Sequence, residues 1–220
     1  MAQDASLDLG RRTRLAVAAV LTAIGLVAAS LVIGRISAPI DSDPVGSSVE
    51  AGFARDMQVH HQQAVEMAMV IRDTTDDAEV RLLAYDIATS QAQQSGQMFG
   101  WLAEWGLSQA ATEPSMTWMS RPPLGGSSHD NSGSMPHDMG SAMPGLATRE
   151  QLVELSVSEG VEAERLFLQL MIAHHEGGVE MAKAIVERST NRVVLDLANS
   201  IVRAQSSEIT FMREMLAARG

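Results

Sequence analysis

The sequence predicts an all-α protein: a four-helix bundle of two duplicated helical hairpins, preceded by one N-terminal transmembrane helix. Three observations carry that expectation. Helix formers dominate the 220 residues, aromatic residues are only 4%, and β-branched runs outside the first apolar stretch are short, so no part reads as a sheet. The chain also repeats itself at a constant offset of 114 residues: FARDMQVHHQQAVEMA from Phe53 to Ala68 is echoed by FLQLMIAHHEGGVEMA from Phe167 to Ala182. The echo continues through Leu83 and Leu197, Ile87 and Ile201, Gln91 and Gln205, Met98 and Met212, and Leu102 and Leu216. A single helical hairpin cannot bury its apolar stripe, whereas two packed about a pseudo-twofold axis can. Finally, LAVAAVLTAIGLVAASLVI from Leu15 to Ile33 carries no charge.

Residues 1–14, with Arg11, Arg12 and Arg14, are expected in the cytoplasm. Residues 15–34 follow as a transmembrane anchor or signal segment. The 19 uncharged residues from Leu15 to Ile33, at ~1.5 Å each, come close to the ~30 Å of bilayer hydrocarbon, so residues 15–33 can engage the membrane as one span. The positive flank then places the C-terminal domain outside a cell membrane crossed once. A cleaved signal peptide, leaving a secreted protein, is the alternative; its apolar core is usually shorter, and no clean A-x-A site follows Ile33.

Residues 35–47 read as a linker, and 48–220 as the duplicated bundle. Ser47 with Glu50 has capping-box spacing and opens the first soluble helix, which fades near Arg72. TTDDAE makes a turn, and Asp76 with Glu79 starts a helix reaching about Trp105. The crossover, 106–147, breaks the helical pattern with Pro, Gly and Ser. Its composition predicts a segment that buries no core, yet it is rich in Met116, Met119, His129, Met135, His137, Met139 and Met143. Thr148 with Gln151 fits a capping box, helix resumes through Leu155 and, after Gly160, runs to about Glu187, and Asn191 begins the last helix.

Net charge is −11, with 25 acidic against 12 basic residues beyond residue 35. An acidic surface disfavours nucleic acid and suits cations, although it also serves plain solubility. No cysteine is present, which excludes disulfides, zinc–thiolate sites and thiol nucleophiles, whereas methionine appears 14 times.

On a helix Phe53, Met57, His60, Ala64, Met67 and Ile71 share one stripe, and Phe167, Met171, His174, Gly178, Met181 and Ile185 repeat it. His61 and His175 lie about 100° further round, aligned with Met57 and Met171 at i,i+4. The pseudo-twofold brings His60, His61, His174 and His175 towards one another. A lone histidine on a stripe is ordinarily a core residue; the duplicated M-x-x-H-H followed by E-M-A argues for more. Imidazole with thioether suits copper, with Met favouring Cu(I), so Met57, Met67, Met171 and Met181 join the histidines as candidate metal ligands. Glu66 and Glu180 are candidates for orienting an imidazole of a neighbouring helix, or solvated caps of the stripe. Asp56, one turn before His60, has Leu170 as its counterpart and is a weak candidate. In the crossover, Met135, His137, Met139 and Met143 set soft ligands on irregular chain. The E-x-x-H pairs of di-iron bundles, the H-E-x-x-H zinc pair, the phosphate loop and the nucleophile elbow are all missing, so no catalytic residue and no enzymatic activity are expected.

MQVHHQQAVEMA and MIAHHEGGVEMA resemble the paired signature of the domain of unknown function 305 family, over about Val49 to Leu216. That resemblance implies a ferritin-like helical bundle, bacterial and often exported. Some members are implied to be periplasmic copper binders, which carries over to Met57, His60, His61, Met67, Met171, His174, His175 and Met181. Two functional readings stand side by side. One is a membrane-anchored extracytoplasmic protein that binds a copper ion and buffers or delivers it. The other is a helical interaction module, an accessory subunit of a membrane protein complex, with the histidines buried as structure. Oxidation of metal ions is a third, kept because ferritin-like folds host it.

Overall fold

The computed structural model describes residues 22–30, 43–125 and 142–220. All elements among them are helical. The chain divides into Met1–Ser42 and Asp43–Gly220. In the first unit residues 22–30 are helical; the rest of the apolar run from Leu15 to Ile33, and with it the transmembrane expectation, lies outside the described residues. Among the described residues no helix is long and apolar enough to cross a membrane.

The second unit holds α1 (Val49–Thr74), α2 (Ala78–Glu104), a 3-10 turn (Thr117–Ser120), α3 (Arg149–Val157), α4 (Gly160–Val186) and α5 (Arg192–Ala217). Four of these five α-helices start on a side-chain cap. The Ser48 hydroxyl accepts from the Ala51 amide, Asp77 from Glu79 and Val80, and Asn191 from Val194. The first two caps thus fall one residue later than the expected Ser47 and Asp76. Thr148 and Gln151 form the expected capping box, but the helix it opens stops at Ser158, so α3 and α4 are separate and Gly160, at φ +58°, makes the bend.

α1 packs on α2, α4 on α5, and the hairpins meet chiefly through α1 and α4. Two reciprocal contacts show that α1 and α4 run antiparallel. The Thr75 hydroxyl, after α1, donates to Glu164 Oε1 near the start of α4 at 2.6 Å, and the Ser189 hydroxyl, after α4, donates to Glu50 Oε1 near the start of α1 at 2.6 Å. Both pairs obey the 114-residue offset, so the repeat in sequence is a pseudo-twofold in space. Two apolar clusters result. One joins the N-terminal half of α1 (Phe53, Met57) to the C-terminal half of α4 (Met181, Ile185) and to Met98, Leu102 and Ile201. The other joins Met67 and Ile71 to Phe167, Met171, Ile87 and Met212. Burial of these side chains, each worth roughly 1.5–3 kcal/mol, drives the packing.

The crossover departs from its expectation. Met116, Trp118, Met119 and Met143 are buried in the first cluster, so the described part of 106–147 contributes to the core. The reason is a buried acceptor. Asp56 Oδ2 receives the Met116 amide at 2.7 Å and the Trp118 indole N–H at 2.9 Å, and Trp118 meets Phe53 edge-on with centroids 5.6 Å apart. Gly52 makes this approach possible, since a Cβ there would stand 2.7 Å from Trp118 Cβ. Asp56, a weak ligand candidate from sequence, is thus the anchor of the crossover, and burial pushes its carboxyl pKa up. Arg55 pins the other end, donating to the carbonyls of Ser108 and Gly46.

Candidate metal centre

Between the two apolar clusters lies a polar belt. His60 and His61 from α1 and His174 and His175 from α4 are each fully buried, and Gln91 of α2 and Gln205 of α5 are nearly so. The His60 and His174 rings face each other across the pseudo-twofold with centroids 3.8 Å apart and planes 37° apart, while His61 and His175 sit 6.4 and 6.3 Å from their chain neighbours. The four are close enough to feel one another's charge. Burial, opposed by a hydrogen bond to Pro144, lowers the His60 pKa to about 4, and burial with the nearby His60 lowers that of His61 to about 3. Burial, then His60 and His175, holds His174 well below its ordinary value. At neutral pH these three imidazoles are therefore uncharged, the form in which histidine ligates metal.

The hydrogen bonds decide which nitrogen is available. His60 Nε2 bonds the Pro144 carbonyl at 3.0 Å, His174 Nε2 the His60 carbonyl at 2.9 Å, His61 Nε2 the Gln94 amide oxygen at 2.7 Å, and His175 Nε2 the Glu208 carboxylate at 2.7 Å. Every partner is an acceptor, so each Nε2 carries the proton and donates. Conversely, all four Nδ1 atoms are buried with no hydrogen-bond partner. An unpartnered buried acceptor costs about 1–3 kcal/mol, and here the cost recurs four times within one layer. Both carboxamide atoms of Gln91 and of Gln205 are unpartnered there as well.

Glycines make room for this layer. A helix-interior glycine costs about 1 kcal/mol relative to alanine, yet α4 carries two in succession. A Cβ at Gly177 would collide with the Pro144 carbonyl, and one at Gly178 with the Gln205 amide oxygen. Ala64 and Gly178 hold matching positions on their stripes, and the structure gives Gly178 the task of admitting Gln205.

Met57 and Met171, one turn before their histidines, and Met67 and Met181, two turns after, are fully buried, Met57 with Met181 in one cluster and Met67 with Met171 in the other. Glu66 and Glu180 are exposed, on the outer side of their helices. In the crossover, Met143 packs into the core, while Met135, His137 and Met139 lie outside the described residues. Gln94 and Glu208, which hold His61 and His175, were missed from sequence. They stand at the same 114-residue offset and one turn beyond Gln91 and Gln205, so polar residues recurring on the inner stripes of α2 and α5 are the signal that finds them.

Among the described residues, no three His, Cys, Asp or Glu side chains already form a metal-holding group. The donor set fits a soft ion nonetheless: four buried imidazole Nδ1 atoms without hydrogen-bond partners, on rings fixed from behind by hydrogen bonds, and four thioethers in the clusters on either side.

The family profile for the domain of unknown function DUF305 matches residues 50–216. A DUF305 protein from Streptomyces coelicolor is 49% identical, with a TM-score of 0.70 over 80% of this chain and 96% of that one. A DUF305 fragment from Deinococcus radiodurans is 31% identical, with a TM-score of 0.62 over 80% and 99%. CopM in its Cu(I)-bound form shares the fold at 22% identity, with a TM-score of 0.57 over 78% of this chain and 96% of that one. No curated protein matches the chain. By the profile that spans nearly all of the helical bundle, and by its likeness to the Streptomyces and Deinococcus structures, this chain belongs to the DUF305 family.

Proposed function

We propose that the bundle is an extracytoplasmic copper-binding domain, tethered to the membrane by residues 15–33, that buffers or delivers the ion. The observation that carries this reading is the set of four buried Nδ1 atoms without partners, each on an imidazole whose Nε2 is already committed. His60, His61, His174 and His175 would hold the ion, with Met57, Met67, Met171 and Met181 as thioether donors that favour the Cu(I) state. CopM, of the same fold, is known in Cu(I)-, Cu(II)- and Ag-bound forms, which agrees with this chemistry. Bound copper would supply a soft cation suited to imidazole and thioether donors. The protein's own contribution is to present oriented rings in a layer shut off from water.

Titration of the metal-free full-length chain with Cu(I), in competition with a chromophoric chelator, tests the proposal. Binding tighter than about micromolar, ~8 kcal/mol, supports it. Weaker binding, or binding unchanged when all four histidines are replaced by alanine, rejects it.

A further inference from the structure

The two histidine pairs are not equivalent. His61 is backed by a carboxamide, Gln94, and His175 by a carboxylate, Glu208, at the same 2.7 Å and at positions 114 residues apart. We propose that Glu208 is the charge-compensating residue of the centre, which sets it to accept a monovalent soft cation, Cu(I) or Ag(I), in preference to a divalent one. This rests on the copper reading above.

The argument is one of charge in a buried layer. The candidate ligands are imidazoles and thioethers, none of which brings a negative charge. A cation held among them is unbalanced unless a counter-charge lies close by, because ions out of water are costly unless paired. Glu208 is a carboxylate hydrogen-bonded to the cluster, through His175. Three other acidic groups are engaged elsewhere. Asp56 is held by the Met116 and Trp118 N–H groups with the Arg55 charge beside it. Glu164 is bonded to Arg219 at 2.7 Å, and Glu176, next to His175, is exposed and paired with Arg213. Glu208 thus brings one negative charge to the edge of the donor layer, which balances one positive charge. A second positive charge would stay uncompensated.

The His61–Gln94 pair doubles as an internal control. A carboxamide already accepts an imidazole N–H there at 2.7 Å, so Glu208→Gln keeps the hydrogen bond and removes only the charge. At an effective dielectric of about 20, a unit charge within ~7 Å of a cation changes affinity by roughly fifty-fold. The 28% exposure of the Glu208 side chain trims that to about tenfold.

The test compares the metal-free full-length chain with Glu208→Gln, Gln94→Glu and the swap that carries both, measuring Cu(I), Ag(I) and Cu(II) affinities by chelator competition. Glu208→Gln should weaken Cu(I) and Ag(I) about tenfold. Gln94→Glu, with two carboxylates, should raise the Cu(II) to Cu(I) affinity ratio about tenfold. The swap should return Cu(I) binding to within threefold of the parent, and it decides the matter if Glu208→Gln alone fails to fold. Cu(I) affinity within threefold of the parent in Glu208→Gln, or a swap that fails to restore it, overturns the proposal while leaving copper binding intact. A parent chain that binds no Cu(I) removes the copper reading, and this inference with it.

Discussion

Thr75 donates its hydroxyl to Glu164 across the two hairpins at 2.6 Å, and Ser189 repeats the bond to Glu50 at the opposite end of the bundle. The two ends differ in what else they hold. Glu164 is buried and also takes Arg219 at 2.7 Å, with Arg219 reaching Asp77 at 3.0 Å. Thr75→Val and Ser189→Ala should each cost about 1 kcal/mol in urea unfolding. Glu164→Ala, which leaves the Arg219 guanidinium with Asp77 and the Met215 carbonyl alone, should cost about 1–3 kcal/mol and clearly more than Glu50→Ala. Equal losses at the two ends would show that the Arg219 pair contributes nothing.

The buried histidines predict acid sensitivity. His60 and His61 have folded-state pKa values lowered to about 4 and about 3 from an ordinary 6.5, so the unfolded chain binds more protons between those values. Their contribution is full above pH 6.5 and is lost as pH falls towards 4. At pH 5 the metal-free protein should be about 2 kcal/mol less stable per histidine than at pH 7. Urea midpoints across that range check the slope, and His61→Gln should flatten it.

At Asp56 the two N–H groups from Met116 and Trp118 both fall on Oδ2. Asn keeps an acceptor oxygen there and should cost under about 2 kcal/mol, whereas Ala leaves two buried donors unmet and should cost about 2–4 kcal/mol. Tryptophan fluorescence reports whether Trp118 has left the core, and an unshifted spectrum in Asp56→Ala would show that apolar packing alone holds the crossover.

The turn at Pro144 separates two deletions that composition alone treats alike. Removing residues 126–141 should leave fold and bundle affinity intact, since loop closure changes only slowly with length, and should remove any weaker copper class held by Met135, His137 and Met139. Extending the cut to Pro144 takes away the acceptor of His60 and should lower Cu(I) affinity about tenfold, the size seen when the groups that orient a metal-ligating histidine are lost. Isothermal titration of both deletions distinguishes the outcomes.

Much of the bundle was legible because duplication is a pattern that periodicity can count: α1 and α4 were placed by their matching stripes, and Thr148 by its partner Gln151. The one-residue errors at Ser48 and Asp77 arose because neighbouring serines and aspartates compete for one cap, a choice made by backbone geometry. The crossover misled because Pro, Gly and Ser describe its conformation and say nothing of Trp118, which is placed by a carboxylate 62 residues away. The histidine belt could be anticipated as a cluster, but which nitrogen stays free depends on Pro144, Gln94 and Glu208, contacts made across the fold.

The bundle's single-chain construction matters for how such a layer can change. Were the two hairpins separate copies of one gene product meeting about a true twofold, every substitution would enter the interior twice, and a carboxylate behind one ring would bring a second behind the other. Joining them end to end lets each half carry its own mutations. Glu208 opposite Gln94, and Asp56 opposite Leu170, are single edits of a kind that a symmetric pair cannot make.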